Sequence, residues 1–409
     1  MKRFEWIFKV SFFVFLCSLT PSASLRAQAV DSVATAGVDS VDISLLTCGP
    51  GRLAYELYGH TALRVKGSPF IFYDRDGNPI VFDDVVANWG LFSFHQPYFV
   101  LRFVFGKTDY RMGLEPMEFF LEEYEDEGRM VYEQVLNLTA QEKADIIAAL
   151  KENDKPENRY YRYNYFYDNC TTRADQMVVS HLSVTRADTL ESKAYPVTYR
   201  EAVHVYNGHR RWARLGNDLL LGWKADRPIS LAKQLFLPMD LRDYYSAATI
   251  TRDGATRPFV ASAAMLLEAR EAPSAERMPS PSVVALSLLL LTLLLTGVEI
   301  RSKRCYMLYD AILLLAVGLG GLVLTAMLFS EHPTVQQNLQ ILLFNPLALV
   351  LLYPVLRSER AGRCHWFWKV FAVSLLLFFL GNFVQRYAEG TNILALCLLI
   401  RCYKNIKFT

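Results

Sequence analysis

Residues 163–172 read YNYFYDNCTT, a tyrosine-rich segment that leads into Cys170 at the start of a predicted helix. Asp168 or Asn169 can cap this helix, because short polar side chains accept hydrogen bonds from the free N–H groups of the first turn. In that turn the helix macrodipole also favours a thiolate over a thiol. The segment therefore predicts a helix that presents Cys170 as a nucleophile.

Residues 58–65 read YGHTALRV and offer the base that such a nucleophile requires. Apolar and polar positions alternate here, which predicts a β-strand with His60 and Arg64 on the same face. General-base catalysis requires His60 and Cys170 to meet in space, although they lie far apart in the sequence. Tyr58, in the same segment, is a supporting candidate.

A third polar group is expected to orient the imidazole of His60, as it does in other pairs of nucleophile and base. Asn88, Asp84 and Asp83 are the candidates, and none is preferred, because strand and turn carboxylates are usually only solvated. Arg64 is either a solvated strand residue or the partner of a phosphate or a carboxylate.

The start of the chain has the features of a secretory signal peptide over residues 1–29: basic residues, an apolar run and a final Ala-Gln-Ala. Cleavage is expected before Val30. An uncleaved anchor is the alternative, although the apolar run is short for a membrane span. Cys48 and Cys170 are then the cysteines of the mature exported domain, so a disulfide between them competes with a reactive Cys170.

The second part of the chain, residues 283–409, contains hydrophobic runs of membrane-spanning length. Basic residues follow the first, third and last runs, whereas the loops at 330–340 and 385–392 contain a single arginine between them. By the positive-inside rule this alternation predicts an exported N-terminal domain at 30–267, a linker at 268–282 and a cytoplasmic C-terminus. The five predicted spans lie near 283–298, 308–329, 341–356, 370–384 and 393–400.

The exported part is predicted to be an α+β domain. Residues 41–45 and 130–138 alternate as strands, Asp76-Gly77 marks a hairpin, and residues 139–142 form a capping box for a helix to about residue 152. A net charge of +2 gives no indication of nucleic-acid binding. The histidines lack metal-ligand spacing, and no metal or cofactor is expected.

Several motifs of the chain occur together in one known family: GHTALRV at 59–65, NWGLF at 88–92, the approach to Asn169-Cys170, LFLP at 235–238, His332-Pro333 and Asn345-Pro346. With them the exported segment resembles the N-terminal periplasmic domain of the Lnb-type lipoprotein N-acyltransferases over most of residues 40–250. The resemblance implies a permuted papain-like (NlpC-like) fold followed by an all-α transmembrane bundle of about five helices. The lecithin:retinol acyltransferase group has the same order, a strand histidine before a helix-start cysteine.

The resemblance implies an inner-membrane, multi-pass enzyme with its N-terminal domain in the periplasm. Its partners would be a phospholipid acyl donor and a diacylated lipoprotein, whose N-terminal α-amine would receive the acyl chain from a thioester on Cys170. His60 would be the base, and the N–H of Cys170 would stabilise the oxyanion. His332 is expected at the outer membrane surface near the lipid head group or the amine. The supporting candidates are Asn169, Asn88, Asp84, Arg64, Tyr58 and His332.

Two other classes of function remain open. A membrane-tethered NlpC-like cysteine amidase or peptidase could use the same pair on peptidoglycan, but a tether needs one span rather than five. A membrane-anchored binding protein with a degenerate papain-like domain is the non-catalytic alternative, and the intact Cys170 and His60 argue against it.

Overall fold

The computed structural model describes residues 26–27, 40–53, 55–74, 76–93, 95, 97–183, 186–187, 198–208, 210–270 and 278–408. The predicted signal peptide lies outside the described residues apart from residues 26–27, and so does the middle of the predicted linker.

The N-terminal domain combines strands with short helices. Its strands are β1 (Arg26–Ala27), β2 (Asp42–Cys48), β3 (His60–Tyr73), β4 (Pro79–Leu91), β5 (Asp109–Pro116), β6 (Val131–Leu136), β7 (Tyr160–Arg162), β8 (Arg186–Ala187), β9 (Thr249–Arg252), β10 (Ala255–Pro258) and β11 (Val260–Leu267). Its helices are α1 (Phe99–Val104), α2 (Met117–Asp126), α3 (Ala140–Asn153), α4 (Cys170–Val179), α5 (Tyr199–Asn207), α6 (Arg211–Leu220), α7 (Leu231–Gln234) and α8 (Pro238–Ala247), with a 3₁₀ helix at Trp223–Asp226.

An antiparallel sheet organises this domain. Its strand order is β11-β6-β2-β3-β4-β5-β7, and β1 pairs with the end of β3, while β10, β9 and β8 form a small second sheet. The predicted strands at 41–45 and 130–138 are confirmed as β2 and β6. The predicted hairpin joins β3 to β4, and Gly77 adopts the positive φ of 86° that its turn requires.

Helices cover both faces of the sheet around β3. On one face Leu63 and Val65 pack in a core that includes Ala174 of α4 and Tyr245 of α8. On the other face Ala62 packs against Phe120 of α2 and the neighbouring strands. The face of β3 that the sequence alternation marks as polar is therefore covered too, because α2 packs against it.

Two helix starts follow the predicted capping chemistry. Thr139 Oγ1 accepts from the Glu142 N–H at 3.2 Å and Glu142 Oε2 accepts from the Thr139 N–H at 2.9 Å, so the capping box of α3 is confirmed. Helix α4 begins at Cys170 with Asn169 as its N-cap. Asn169 Oδ1 accepts from the Thr172 N–H at 2.9 Å, as expected for an asparagine cap.

The C-terminal part consists of apolar helices. Two helices of the described chain, α9 (Pro281–Ser302) and α10 (Met307–Met327), are long and apolar enough to cross a membrane, and a third candidate is a bent pair. Helix α13 (Trp366–Gly381) is apolar but has 16 residues. The helices are α9 (Pro281–Ser302), α10 (Met307–Met327), α11 (Leu347–Val350), α12 (Leu352–Arg360), α13 (Trp366–Gly381) and α14 (Thr391–Lys407), with a 3₁₀ helix at Leu339–Leu342.

The predicted span at 341–356 is not one straight helix, because the chain bends by 71° between Val350 and Leu352. Pro354 explains the position of the bend. A proline inside a helix has no N–H to donate, and its ring clashes with the carbonyl four residues earlier, here that of Val350. The segment is therefore a broken apolar element rather than one straight helix.

A buried charge cluster joins three of these helices. Arg401 of α14 is completely buried and donates to Asp310 of α10 at 2.7 Å, to Thr296 of α9 at 2.9 Å and to Glu299 of α9. Lys404 lies 3.6 Å from Glu299. The two cations of α14, Arg401 and Lys404, thus lie beside two carboxylates, so the buried charges of this cluster balance.

The loops at 330–340 and 385–392 contact the N-terminal domain. The Glu331 N–H donates to Phe105 O at 2.9 Å, and the Gly222 N–H donates to Thr334 O at 2.8 Å. Arg386 forms an ion pair with Glu201 at 2.7 Å. Both loops therefore lie on the side of the N-terminal domain, where the charge pattern of the sequence predicted them.

Candidate functional site

Cys170 is held at the start of α4 by a network of polar contacts. The Asn169 side chain that caps α4 also donates to Tyr165 O at 2.9 Å and to Phe236 O at 2.8 Å. One residue further, the Thr171 hydroxyl lies 3.1 Å from the hydroxyl of Thr61 on β3. These contacts fix the first turn of α4 against the strand that begins with His60.

His60 is oriented by an amide and a carboxylate. Its Nε2 donates to Asn88 Oδ1 at 2.5 Å, and Asn88 Nδ2 donates to Glu115 Oε1 at 3.0 Å. Because an ionised carboxylate only accepts hydrogen bonds, Glu115 requires the amide nitrogen of Asn88 to face it. The amide oxygen then faces His60, which leaves Nδ1 of the ring available to Cys170.

The charges of the two groups stabilise each other. Burial alone would raise the pKa of the Cys170 thiol, but the charge of His60 and hydrogen bonds from His60, the Thr61 backbone and Thr171 lower it from 9.0 to about 7. Burial would lower the pKa of His60, yet the Cys170 charge and the hydrogen bonds with Cys170 and Asn88 raise it. The pair therefore favours a thiolate beside an imidazolium near neutral pH.

Cys48 differs from Cys170 although it lies opposite His60 on the neighbouring strand β2. Both cysteines are free thiols in the structure, so the disulfide considered as an alternative is not formed there. Burial raises the pKa of Cys48 to about 12. A fully buried thiol with this pKa is a packing residue rather than a nucleophile.

A β-bulge opens the sheet beside Cys170. The pairing of β4 with β5 shifts register between Asn88 and Leu91. Gly90 in this bulge has a φ of 92°, and a Cβ added to it would lie 3.8 Å from Cys170 Cβ. Glycine is favoured here because its backbone conformation is one that other residues rarely adopt.

A cavity of about 300 Å³ contains Cys170, His60 and Asn88. One group of its lining side chains is aromatic or apolar, and another is acidic with a single arginine. The first group includes Leu91, Phe92, Tyr110, Tyr163, Tyr165, Phe236 and Leu237, and the second is Glu56, Glu123, Glu127 and Arg129. The site can therefore receive a molecule with both an apolar and a positively charged part.

Comparison with known families assigns both parts of the chain. Residues 31–204 match the Lnb N-terminal periplasmic domain, and residues 273–409 match the Lnb transmembrane domain. The chain is an Lnb-type protein. No curated protein and no solved structure matched it. This Lnb-type chain is a membrane protein with an N-terminal periplasmic domain, and Cys170, His60 and Asn88 lie within the matched periplasmic segment.

The remaining predicted site residues of this Lnb-type protein lie outside the cavity, with one exception. Arg64 donates to Asp84 through Nε at 2.7 Å and to Glu133 through Nη1 at 2.9 Å, so both Arg64 and Asp84 belong to an ion-pair network on the sheet. Tyr58 does line the cavity, and its buried hydroxyl accepts from Asn207 at 3.2 Å and from Asn217.

His332 of the Lnb transmembrane segment lies beside the N-terminal domain. Its ring is 3.1 Å from the position that a Cβ on Gly106 would take, and burial lowers its pKa. It is not among the residues that line the cavity of Cys170. The structure thus places His332 at the contact between the two parts of the chain.

Glu115 is a site residue that sequence reasoning did not single out. It stands on β5, and its contact with Asn88 arises from the pairing of β4 with β5. No local motif marks it, because the pairing depends on the order of strands in the sheet. Among the described residues, no group of three or more His, Cys, Asp or Glu side chains could hold a metal ion.

Proposed function

We propose that this protein is a lipoprotein N-acyltransferase that moves an acyl chain from a phospholipid to the α-amine of a diacylated lipoprotein. The carrying observation is the Cys170 thiol, whose pKa is lowered to about 7 beside a histidine that Asn88 orients. A thiolate with an adjacent base is what nucleophilic acyl transfer requires. The order of a strand histidine before a helix-start cysteine supports a permuted papain-like fold for the domain.

In the first half-reaction the Cys170 thiolate attacks the ester carbonyl carbon of a phospholipid. The carbonyl oxygen becomes an oxyanion, which the N–H of Cys170 in the first turn of α4 can stabilise. When the carbonyl re-forms, the C–O bond to glycerol breaks and the imidazolium of His60 gives its proton to the departing alkoxide. The products are a lysophospholipid and an acyl thioester on Cys170.

In the second half-reaction the lipoprotein amine attacks the thioester carbonyl. His60, now neutral, accepts a proton from the attacking nitrogen, and the C–S bond breaks to return the Cys170 thiolate. An amide forms on the lipoprotein. The acidic side chains that line the cavity favour binding of this acceptor. Glu56, Glu123 and Glu127 can attract the protonated amine, which then loses a proton before it attacks.

The C-terminal helices suit a reaction whose two substrates are both lipids. We place the protein in the inner membrane with about five passes, since both loops that contact the periplasmic domain alternate with the basic loops of the opposite side.

An NlpC-like amidase acting on peptidoglycan is the second candidate. The same thiolate and imidazole would serve it, but it would not need an apolar region beyond one anchor.

Mass spectrometry of a lipoprotein N-terminal peptide tests the proposal. In cells that depend on this protein for N-acylation, wild type should add one N-linked acyl chain and Cys170→Ala should add none. Cys48→Ala is the matched control and should retain activity if it folds. With phospholipid alone, wild type should accumulate an adduct on the Cys170 peptide that neutral hydroxylamine releases. Triacylated lipoprotein produced by Cys170→Ala would refute the thioester mechanism.

A further inference from the structure

Helix α1 exposes large apolar side chains close to the catalytic cavity. Val100 is 72% exposed, and Leu101, Phe103 and the preceding Tyr98 are also exposed. No residue of α1 is buried. Val100, Leu101 and Phe103 add no folding stability by exposing apolar surface to water, so a binding surface is the simpler explanation for these side chains.

The location of α1 indicates what covers it. The carbonyl of Phe105, directly after α1, accepts from the Glu331 N–H at 2.9 Å, and Glu331 follows the end of α10. Val104 packs in the same cluster as Met327, the last residue of α10. Because α10 is apolar enough to cross a membrane, α1 stands at the level where that helix leaves the hydrocarbon.

Ion pairs connect α1 and the strand β7 to β5 and to the loop after α10. Arg102 donates to Asp109 on β5 at 2.5 Å, and Arg162 lies 3.1 Å from Asp109 and 3.5 Å from Glu331. Arg102 thus ties α1 to the sheet, and Arg162 ties the sheet to the loop after α10. A helix that combines exposed apolar side chains with a basic residue is suited to the membrane interface.

Aromatic rings lead from α1 into the cavity. The Phe103 and Phe99 ring centroids are 6.3 Å apart, and Phe99 stacks on Phe92 at 5.7 Å. Phe92 lines the cavity that contains Cys170. These rings can form an apolar path from the surface of α1 to the thiol, along which an acyl chain avoids contact with water.

We infer that α1 inserts into the membrane leaflet facing the periplasmic domain and that Phe103, Phe99 and Phe92 guide a phospholipid acyl chain to Cys170. The destination of the chain rests on the proposed function, whereas the contact of α1 with lipid does not. A membrane is favoured over a protein partner because α1 adjoins the end of α10 through Val104.

The test compares Val100→Asp with Val81→Asp in full-length protein reconstituted into vesicles of phosphatidylethanolamine and phosphatidylglycerol. Val81 is 59% exposed at the hairpin end of β4, about 35 Å along the sheet from His60 at roughly 3.3 Å per residue. Acyl-Cys170 formation from the vesicle lipid should fall about tenfold in Val100→Asp, because a carboxylate opposes insertion. Val81→Asp should react like wild type.

A soluble substrate separates lipid access from chemistry. Acylation of Cys170 by p-nitrophenyl acetate should be unchanged in Val100→Asp, because this small ester needs no membrane contact. Equal loss with both substrates, or equal activity of Val100→Asp and wild type on vesicles, would overturn the inference.

Photo-crosslinking decides the contact without using the reaction. With p-benzoylphenylalanine at position 100, illumination in the same vesicles should attach phospholipid to the protein, and the same group at position 81 should not. Attachment of position 100 to another segment of this chain or to a second copy would overturn the inference. If wild type forms no acyl-Cys170 yet position 100 captures phospholipid, the proposed function fails and the lipid contact of α1 stands.

Discussion

At the scale of residues, the reactivity of Cys170 depends on the groups that offset its burial. Burial raises the pKa of the thiol, and the neighbouring His60 contributes the largest opposing effect. The helix start alone, which the sequence reveals, supplies only part of this environment. The difference between Cys170 and the inert Cys48 therefore comes from the placement of one imidazole.

The pH dependence of alkylation by iodoacetamide should report this environment. Only the thiolate reacts, so the rate at Cys170 should rise with pH through a midpoint of about 7. In His60→Ala the lost positive charge and hydrogen bond should move the midpoint upward, to 9.0 or above. Peptide mapping by mass spectrometry distinguishes Cys170 from Cys48, which should react little below its pKa of about 12. An unchanged midpoint in His60→Ala would contradict the assigned pairing.

Asn88 is expected to act by positioning the ring of His60. Asn88→Ala removes the acceptor that lies 2.5 Å from Nε2, so the rate constant of acyl-enzyme formation should fall on the order of 100-fold, a typical loss for misplaced general-base chemistry. The alkylation midpoint of Cys170 should rise as well, which a general loss of stability would not cause. The exposed Asp83, an earlier candidate for the same role, provides the control: Asp83→Ala should retain wild-type rates.

At the scale of elements, α10 packs closely against the broken segment because glycines lie where the two backbones approach each other. A Cβ added to Gly321 would lie 2.5 Å from Pro346 N, and one added to Gly318 would lie 2.6 Å from Leu349 N. Both distances are shorter than real contacts allow. Glycines therefore let the backbone of α11 approach α10, as small residues do between membrane helices.

Gly321→Ala should destabilise the C-terminal helices, because the added methyl group can be accommodated only by moving the backbone near Pro346. Overpacking of this kind costs roughly 1–3 kcal/mol. The midpoint temperature of thermal unfolding in detergent should fall. Gly297→Ala is the matched control on α9, where an added Cβ meets nothing within 4 Å, and it should be neutral or slightly stabilising. Equal melting of both variants would show that the contact is not close in solution.

At the scale of the whole molecule, ion pairs hold the C-terminal helix α14 in the bundle and compensate for its short apolar stretch. The apolar core of α14 is short, yet Arg401 is completely buried between Glu299 and Asp310. Arg401→Leu would leave Glu299 with Lys404 as its ion-pair partner and would remove the cation that pairs with Asp310, a change that typically costs about 3–5 kcal/mol. We expect lower amounts of folded protein and faster proteolysis in membranes. Lys407→Ala, at the exposed end of α14, should have no such effect.

The sequence alone determined the features that depend on short stretches of chain. The capping box of α3, the Asp-Gly hairpin, the cap and start of α4 and the apolar C-terminal region follow from local backbone chemistry and hydropathy. The candidate pair of Cys170 and His60 was also available, because each residue stands in a distinctive local motif. The bend before Leu352 was missed although Pro354 marks it, since hydropathy does not register a missing hydrogen bond.

Only the tertiary structure decided which groups meet. Asn88, Asp84 and Asp83 were equivalent in the sequence, and strand pairing brought Asn88 to His60 while Arg64 took Asp84. Glu115 became the anchor of Asn88 only because β5 pairs with β4. The same holds for Arg401, which looks like an ordinary basic residue near the chain end until two helices surround it with carboxylates. Long-range contacts depend on how whole elements pack, and local periodicity carries no information about that choice.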